Sequence, residues 1–384
     1  MRVAIVSESF LPTINGVTTS VRKVLDYLAA NGHEAMVICP NAGSPTDYAG
    51  FPVHAVPAIA YRQFPVGLPS PFVQSLIRDF EPDVLHAASP FLLGGQAIGA
   101  ASRLGVPSVA IFQTDVAGYA RRNHFGAATG LAWRLVRKVH DLADLTLAPS
   151  SASAADLTAA GVERIERWGR GVDLETYHPR TRTDPDALAL RRQIVPDGEV
   201  VIGFVGRVAP EKRLETLEAL RGIHGIRIVI VGDGPSVPSV TKALRGMPVT
   251  WLGPLSGREL ALAYAAFDIF VTPGTEETFG QTIQEAHAAG LPVVAPRIGG
   301  PIDLIDDGAD GFLYAPDDAA KLRRSVYRLA SDPELRGRFG EAGRRAVLGR
   351  SWSSVCDELI GHYERTIAAK VSPKLRKVSR SEAI

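Results

Sequence analysis

The chain has 384 residues, of which 46% are hydrophobic and 22% are charged, and its net charge is +1. This length exceeds what one core usually supports, so we expect two domains. The near-neutral charge argues against a protein built to bind nucleic acid. Only Cys39 and Cys356 are present, which argues against a disulfide scaffold and for a reducing cytoplasm.

No signal peptide and no membrane span are expected from the sequence. Glu8 follows the first apolar residues too soon for a signal peptide. No stretch reaches the roughly 18 apolar residues that a spanning helix needs. The sequence therefore predicts a cytoplasmic protein, with peripheral contact at the inner face of the plasma membrane as a further alternative.

Short β-branched apolar runs alternate with helical patterns along the chain. The predicted strands of the first half are 3–7, 35–39, 84–86, 108–112 and 145–148. The predicted strands of the second half are 200–205, 227–231, 249–252, 269–272 and 292–295. Continuous apolar strands separated by helices are typical of parallel sheets covered on both faces. We therefore predict an α/β fold with two doubly wound domains.

Two polar segments mark the expected boundaries. The stretch 177–186 carries prolines and is the predicted linker. The predicted domains are 1–175 and 176–355. The end of the chain, 371–384, is polar and mostly basic, so it is predicted to be a disordered tail. Attraction of this tail to anionic lipid is the alternative, at about 1 kcal/mol per basic residue.

Candidate ligand-binding loops follow several predicted strands. Ligands of open α/β sheets bind beyond the carboxyl ends of the strands. Gly16 precedes a predicted helix over 18–30 and would let the backbone approach a phosphate there. Taken alone, this loop is better explained as a plain turn.

The loop after strand 200–205 carries two cations. Arg207 and Lys212 could both reach a diphosphate, and each charge-assisted bond contributes about 1.5–3 kcal/mol. A pair of surface cations is an equally good interpretation of this loop alone. Gly232 closes the next strand, either beside a nucleotide or in a simple turn. The dinucleotide motif G-x-G-x-x-G is absent, which weakens a nicotinamide hypothesis.

The segment 277–286, ETFGQTIQEA, is the most informative part of the chain. Glu277 precedes a helix that starts near Gly280, and Glu285 lies inside that helix, about 8 Å along its axis. A helix N-terminus offers unpaired N–H groups and a partial positive charge. A ligand that is part phosphate and part polyol, such as a nucleotide-sugar, could use all of these groups. A surface Glu and an ordinary helix Glu are the alternative.

Together these motifs resemble retaining glycosyltransferases of the GT-B fold, in family 4. The resemblance rests on segments 15–17, 170–173, 206–212, 232–235, 277–285 and 299–300. The first half also looks like the actinobacterial GDP-mannose-dependent α-mannosyltransferases that act on glycolipids. The resemblance implies two Rossmann-like doubly wound domains facing across a cleft. It also implies that a C-terminal helix, at about 356–370, packs back on the first domain.

The family resemblance also implies roles for individual residues. Arg207 and Lys212 would neutralise the departing diphosphate, and Glu277 would act with them in catalysis by holding the donor sugar. The implied donor-binding positions, which contact phosphate, sugar or ribose, are Gly16, Gly206, Gly232, Phe279, Gly280, Gln281, Thr282 and Glu285. No Asp-x-Asp metal motif occupies a comparable place, so neither a metal nor a cofactor is expected.

One position departs from the family pattern. Relatives often carry a His after the strand 108–112, and this chain has Gln113 there. Gln can bond a hydroxyl but cannot take a proton, so Asp115 and His86 become candidate sugar or acceptor contacts. A structural role is the commoner one for a single His. Loss of the His is tolerable if the leaving phosphate itself accepts the proton, as is often argued for the family.

The acceptor side is predicted from two features. Arg134, Arg137 and Lys138 lie among apolar residues in a helix over 131–140, which suits an anionic membrane or an ordinary half-exposed helix. The segment 61–69 is apolar for a loop and could hold a lipid. The predicted function is retaining transfer of a hexose, mannose from GDP-mannose by resemblance, to a membrane glycolipid of the cell envelope. A UDP-sugar-dependent transferase, a non-catalytic nucleotide-sugar-binding module and a glycoside hydrolase are the rivals.

Overall fold

The computed structural model describes residues 1–61, 64–68, 70–113, 126–196 and 198–381. For 60, 61, 64–66, 126–129 and 371–381 it describes the backbone only. The chain forms two compact units, one made of Met1–Gly169 with Ser353–Ile384 and the other of Arg170–Trp352. Each unit is built around its own parallel sheet.

The described residues of the first unit form ten strands. They are β1 (Arg2–Ser7), β2 (Glu34–Pro40), β3 (Asp47–Tyr48), β4 (Phe51–Val56), β5 (Ala58–Tyr61), β6 (Phe64–Gly67), β7 (Val84–Ala88), β8 (Ser108–Ile111), β9 (Leu145–Ala148) and β10 (Ile165–Arg167). The main sheet has the order β10-β9-β8-β7-β1-β2-β4-β3, and only the β3–β4 pair is antiparallel within it. Strands β5 and β6 form a separate antiparallel hairpin, where the sequence predicted an apolar loop.

Helices follow most strands of the first unit. They are α1 (Gly16–Ala30), α2 (Phe72–Phe80), α3 (Leu92–Leu104), α4 (Gly126–Leu142) and α5 (Ser151–Ala159). The predicted apolar face of α1 is confirmed, because Val21, Val24, Leu25 and Leu28 are all buried against the sheet core. Covering both faces with helices explains why the central strands are continuously apolar.

The second unit contains six strands, all parallel. They are β11 (Val200–Val205), β12 (Ile226–Val231), β13 (Val249–Gly253), β14 (Ile269–Val271), β15 (Val293–Pro296) and β16 (Gly311–Tyr314). Their order is β13-β12-β11-β14-β15-β16, so the strand order reverses between β11 and β14. That reversal is the point at which doubly wound sheets bind ligands.

The helices of the second unit lie between and after these strands. They are α6 (Pro185–Ile194), α7 (Val237–Ala243), α8 (Gly257–Ala266), α9 (Gln281–Ala288), α10 (Pro301–Leu304), α11 (Ala319–Ser331) and α12 (Pro333–Val347). Short 3₁₀ helices occupy Pro179–Thr183, Pro210–Lys212 and Leu214–Leu220. Every strand predicted from the sequence is present. The described strands that the sequence did not predict are β3, β4, β5, β6, β10 and β16. Of these, β3, β10 and β16 lie at sheet edges and β5 and β6 form a separate pair, whereas β4 lies inside the first sheet.

The predicted linker is misplaced. Residues 177–186 lie inside the second unit, where Arg182 donates a hydrogen bond to the carbonyl of Phe267 at 2.7 Å. The polar residues of this stretch cap helices: the His178 ring caps Pro179–Thr183 and the Asp184 carboxylate caps α6. The chain instead enters the second unit at Arg170 and leaves it after Trp352.

The last helix, α13, spans Trp352–Ser381. Its residues from Ser353 onward belong to the first unit, and Val355, Leu359 and Tyr363 are buried in the core of that unit. The backbone stays helical through 371–381, where the sequence predicted a disordered tail. In the described part of the chain, no helix is both long and apolar enough to cross a bilayer.

Candidate functional site

The candidate site lies at the carboxyl edge of the second sheet. The loops that follow β11 and β14 leave the sheet where its strand order reverses. These two loops carry the predicted Arg207, Lys212 and Glu277. The topology therefore brings together segments that are about 65 residues apart in sequence.

Two glycines allow the backbones of the loops after β11 and β12 to pack directly against each other. Gly206 has a φ of +150° and Gly232 a φ of +134°, and a Cβ at Gly232 would overlap the carbonyl oxygen of Gly206. The Gly206 N–H donates to the carbonyl of Val231 at 3.0 Å. These two glycines are thus needed for packing at the sheet edge, and their contact with a donor stays a prediction.

Lys212 and Glu277 meet at this edge. Lys212 ends the 3₁₀ helix Pro210–Lys212, and its Nζ contacts Glu277 Oε1. Both side chains are largely buried, with 22% and 16% of their areas exposed. Arg207 is exposed and forms no ion pair with any residue that the structure describes. It is therefore available to an anion at the same edge.

The backbone between Glu277 and Gly280 is held by a second glycine pair. The Gly300 N–H donates to the Glu277 carbonyl at 2.7 Å. A Cβ at Gly299 would overlap that same carbonyl, and one at Gly300 would overlap the Phe279 carbonyl. Phe279 is itself buried. This packing fixes the loop from which the Glu277 side chain projects.

Helix α9 begins without a side-chain cap. Its N-cap residue is Gly280, which has a φ of +101° and no side chain to accept a hydrogen bond. The first helical bond is the one from Ile283 N–H to the Gly280 carbonyl, at 3.0 Å. The N–H groups of Gln281 and Thr282 are therefore left to whatever binds at this end, and such groups attract anions.

Glu285 lies one turn inside α9 and is half-buried. The Tyr264 hydroxyl donates to Glu285 Oε2 at 2.9 Å. Burial raises the pKa of Glu285 to about 7, although hydrogen bonds from Tyr264 and Gln281 oppose this shift. The site therefore holds one carboxyl, Glu277, paired with a cation and another, Glu285, poised to change its charge near neutral pH.

Arg170 is a site residue for which the sequence predicted no role of its own. It appeared only within the motif 170–173. Burial lowers the pKa of its guanidinium to about 10, and attraction to Glu277 partly offsets that effect. Its carbonyl accepts a hydrogen bond from Gln284 of α9 at 2.8 Å. No local spacing could have revealed this neighbour of Glu277, because the two residues are far apart in sequence.

In the first unit, Gly16 begins α1 as predicted. The Asn15 side chain accepts hydrogen bonds from the N–H groups of Val17 at 2.9 Å and Thr18 at 3.0 Å, and the Asn15 carbonyl accepts the N–H of Thr19. The helix start is thus largely satisfied by Asn15. A phosphate contact at Gly16 stays a prediction.

Glu8 caps a second helix of the first unit, α3, and this role was not predicted from the sequence. Glu8 follows β1, and its Oε1 accepts hydrogen bonds from Phe91 at 2.8 Å and Gly94 at 2.9 Å, at the start of α3. Burial raises the pKa of Glu8, although these backbone bonds oppose the shift. The carboxylate therefore occupies a place where a ligand anion could otherwise bind.

The three weak acceptor-side candidates have different outcomes. His86 is only 1% exposed and its Nδ1 lies against the Tyr363 hydroxyl of α13. This packing favours a structural role, and the sugar contact stays a prediction. Burial lowers the pKa of His86 to about 3. Gln113 is 8% exposed just after β8, and its role stays a prediction. Asp115 lies outside the described residues.

Comparison with known proteins places the chain in a family. Residues 14–176 match the family model Glycosyltransferase Family 4, and residues 188–346 match Glycosyl transferases group 1. A GDP-mannose-dependent alpha-mannosyltransferase from Mycolicibacterium smegmatis is 46% identical over 379 residues, covering 96% of this chain and 99% of the relative. The chain belongs to glycosyltransferase family 4.

Two further similarities extend this assignment. The sulfoquinovosyl transferase SQD2 from Arabidopsis thaliana is 35% identical, over 90% of this family 4 chain and 70% of the relative. The crystal structure of HepE from Anabaena in complex with UDP and glucose has a TM-score of 0.75 at 20% identity, over 94% of this chain and 99% of HepE. The predicted GT-B fold with two Rossmann-like domains is confirmed. The family 4 protein is a hexosyltransferase.

Proposed function

We propose that this family 4 enzyme transfers mannose with retention from GDP-mannose to a membrane glycolipid. The observation that carries the proposal is the contact between Lys212 and Glu277 beside the uncapped start of α9. This arrangement offers a cation, a carboxylate and free N–H groups to a ligand with both phosphate and hydroxyl groups. The choice of GDP and mannose is supported by the names of relatives that are 43% to 46% identical.

The cations would act on the leaving group. Glycosyl transfer builds negative charge on the departing diphosphate, so charges fixed near that position lower the barrier. Arg207, Lys212 and the N–H groups of Gln281 and Thr282 would receive this charge. Because they are in place before the reaction, little reorganisation is needed as the bond breaks.

The carboxylates would hold the donor's hydroxyl groups. Glu277 would bind the sugar and Glu285 the ribose, since carboxylate oxygens accept hydrogen bonds from hydroxyls. Gly16 would meet the phosphate from the first unit. Neither Glu needs to act as a base in this proposal.

The attacking hydroxyl would pass its proton to the leaving phosphate. Gln113 cannot take a proton, and His86 is buried against Tyr363. Attack from the side on which the diphosphate leaves would retain the configuration of the sugar. Gln113 would then serve to bond a hydroxyl near the reacting centre.

Helix α4 supplies the support for a membrane acceptor. Arg134, Arg137 and Lys138 are exposed and line an open surface depression with Asp141 and Leu142. Leu131 on the same helix is 66% exposed. Basic residues framed by exposed leucines suit an anionic bilayer surface, where each cation near the surface contributes about 1 kcal/mol.

A transfer assay tests the proposal directly. The protein would be incubated with a membrane lipid extract and radiolabelled GDP-mannose, GDP-glucose, UDP-glucose or UDP-galactose. We expect label from GDP-mannose to enter the lipid fraction. Label entering from a UDP-sugar instead would overturn the donor, and nucleotide binding without transfer from any donor would favour a non-catalytic module.

Vesicle binding tests the membrane contact separately. The protein should bind vesicles rich in anionic lipid and be released by salt, and Arg134→Glu with Lys138→Glu should abolish that binding. The matched control is Arg324→Glu with Arg338→Glu, two exposed arginines on α11 and α12 of the second unit. Equal binding to neutral and anionic vesicles would contradict the contact.

A further inference from the structure

Arg213, which directly follows Lys212, has an unusual backbone conformation. Its φ is +50°, in the left-handed region that is unfavourable for a residue with a side chain. The residue joins the 3₁₀ helices Pro210–Lys212 and Leu214–Leu220. Its carbonyl accepts the N–H of Thr216 at 3.0 Å and the Thr216 hydroxyl at 2.8 Å. Glycine would make this turn with less strain, so the arginine points to a task for its side chain.

The Arg213 side chain joins two loops at the carboxyl edge of the second sheet. Its guanidinium forms an ion pair with Asp317, in the loop after β16. Asp317 is also left-handed, with a φ of +72°. The two side chains are 32% and 74% exposed, and such exposed pairs contribute little to the stability of a fold. The ion pair is therefore better suited to fixing the position of a loop than to stabilising the whole unit.

A cavity of about 110 Å³ lies beside this ion pair. Arg213 and Asp317 both line it, together with Thr275 of the loop after β14, Tyr314 of β16 and Leu322 of α11. Space that side chains do not fill gives a loop fewer packing contacts. The ion pair therefore provides a direct link between the loop that carries Lys212 and the loop after β16.

The main chain at Lys212 also packs against the loop that carries Glu277. A Cβ at Gly274, in that loop, would come within 3.1 Å of the Glu211 carbonyl oxygen and 3.3 Å of Lys212 Cα. The same loop continues to Glu277, whose carboxylate contacts Lys212 Nζ. A shift of the Lys212 main chain would thus move its ammonium relative to the diphosphate, and a displacement of about 1 Å can lower a rate about 10²-fold.

We propose that Arg213 is a positioning residue for the transfer reaction. Through its ion pair with Asp317, it holds the main chain of Lys212 against Gly274, so that the Lys212 ammonium is directed at the leaving diphosphate. Arg213 itself needs no contact with the donor. The proposal rests on the function proposed above for Lys212. It gives the loop after β16, two strands away from β14, an effect on turnover.

The test is transfer from GDP-mannose to a membrane lipid extract by the full-length protein and its variants. Arg213→Gly removes the guanidinium but suits the left-handed turn, and it should lower kcat about tenfold while changing the donor KM less than twofold. Asp317→Gly should lower kcat similarly, and the two substitutions together should cost no more than either alone. Arg213→Lys keeps the charge and should retain at least about half of the wild-type kcat. Asp317→Gly keeps the test decisive if Arg213→Gly does not fold.

Lys212→Met separates a positioning role from a direct one. Because Arg213 is proposed to act through Lys212, Arg213→Gly should lower turnover less than twofold in a Lys212→Met background. A donor contact made by Arg213 itself predicts the same tenfold loss in both backgrounds. The matched control is Arg227→Met, which removes a half-buried arginine paired with Glu199 at the amino end of the same sheet. It should leave turnover unchanged.

Three results would overturn the proposal. One is a wild-type kcat in both Arg213→Gly and Asp317→Gly, and another is a loss in Arg213→Gly that is equally large without Lys212. The third is a free energy of unfolding that falls together with kcat, because a purely structural role predicts it. Failure of the proposed function looks different: wild type would then transfer no mannose, or Lys212→Met alone would leave turnover unchanged.

Discussion

The two units present their helix N-termini differently at the carboxyl edges of their sheets. In the first unit, the Asn15 side chain caps α1 and the Glu8 carboxylate occupies the start of α3. In the second unit, α9 starts at Gly280 with no side-chain cap, next to Lys212 and Glu277. Two similar sheets therefore offer a ligand anion very different edges.

This difference supports the proposal that the second unit binds the donor and the first a less charged ligand. An unoccupied helix start, together with Arg207, which is unpaired among the described residues, and the nearby Lys212, attracts a diphosphate. A helix start already filled by a carboxylate repels one. The fold alone does not determine which sheet edge attracts an anion, because this depends on the side chains at the strand ends.

The largest expected effect comes from removing the cations of the second unit. Lys212→Met and Arg207→Met should each lower turnover by about 10²–10³, because each removes fixed charge from the leaving diphosphate. Steady-state rates with GDP-mannose measure this, and Arg227→Met serves as the control. Turnover near that of wild type in both variants would contradict the claim that the cations at the second unit's sheet edge act on the diphosphate.

The start of α9 gives the next largest effect. Gly280→Ala puts a Cβ at a φ of +101°, about 3.1 Å from Ile283 and Leu304 side-chain atoms, so we expect a loss of about 1–2 kcal/mol in stability and a raised KM for the donor. Gly222 lies away from the site with a φ of +79°, and a Cβ there would meet only the end of the Arg323 side chain, at 3.9 Å. Gly222→Ala should lose stability similarly in chemical denaturation while leaving the donor KM unchanged.

Glu285 should make donor binding depend on pH. Since burial raises the pKa of Glu285 to about 7, the carboxylate that is proposed to accept ribose hydroxyl bonds forms only as the pH rises through 7. The donor KM should fall between pH 6 and pH 8, and Glu285→Gln should remove that dependence. Because the pKa of Glu285 is raised from 4.5 to about 7, the native protein keeps a proton there, between these two pH values, that the unfolded chain has released. The contribution of this group to stability therefore falls as the pH rises through that range. An unchanged pH profile in Glu285→Gln would reject this role.

The smallest effect is expected at the first unit's edge. Glu8→Gln weakens the cap of α3 and should lower the free energy of unfolding by about 1 kcal/mol. GDP affinity should stay that of wild type. If this substitution weakened GDP binding as strongly as Lys212→Met, the contrast between the two edges would be false.

The sequence predicted the sheets and most of the donor site. Apolar runs separated by helices predicted the main parallel strands, and the segment 277–286 predicted α9 and its two carboxyls. Local spacing could not reveal contacts across long separations, such as Glu8 with Gly94 or Arg170 with Gln284. The position of His86 at a strand end could not show that Tyr363 covers its ring. The linker was wrongly placed at 177–186, because polar residues that cap helices have the same composition as a polar linker.

Amide hydrogen exchange with and without GDP tests the central claim most directly. The N–H groups at 281–282 and the loop at 206–212 should exchange more slowly when GDP is bound, while the first turn of α3 at 91–94 should be unaffected. Protection at 281–282 and 206–212, with none at 91–94, is the predicted result. Protection at the start of α3 with none at 281–282 would contradict the account.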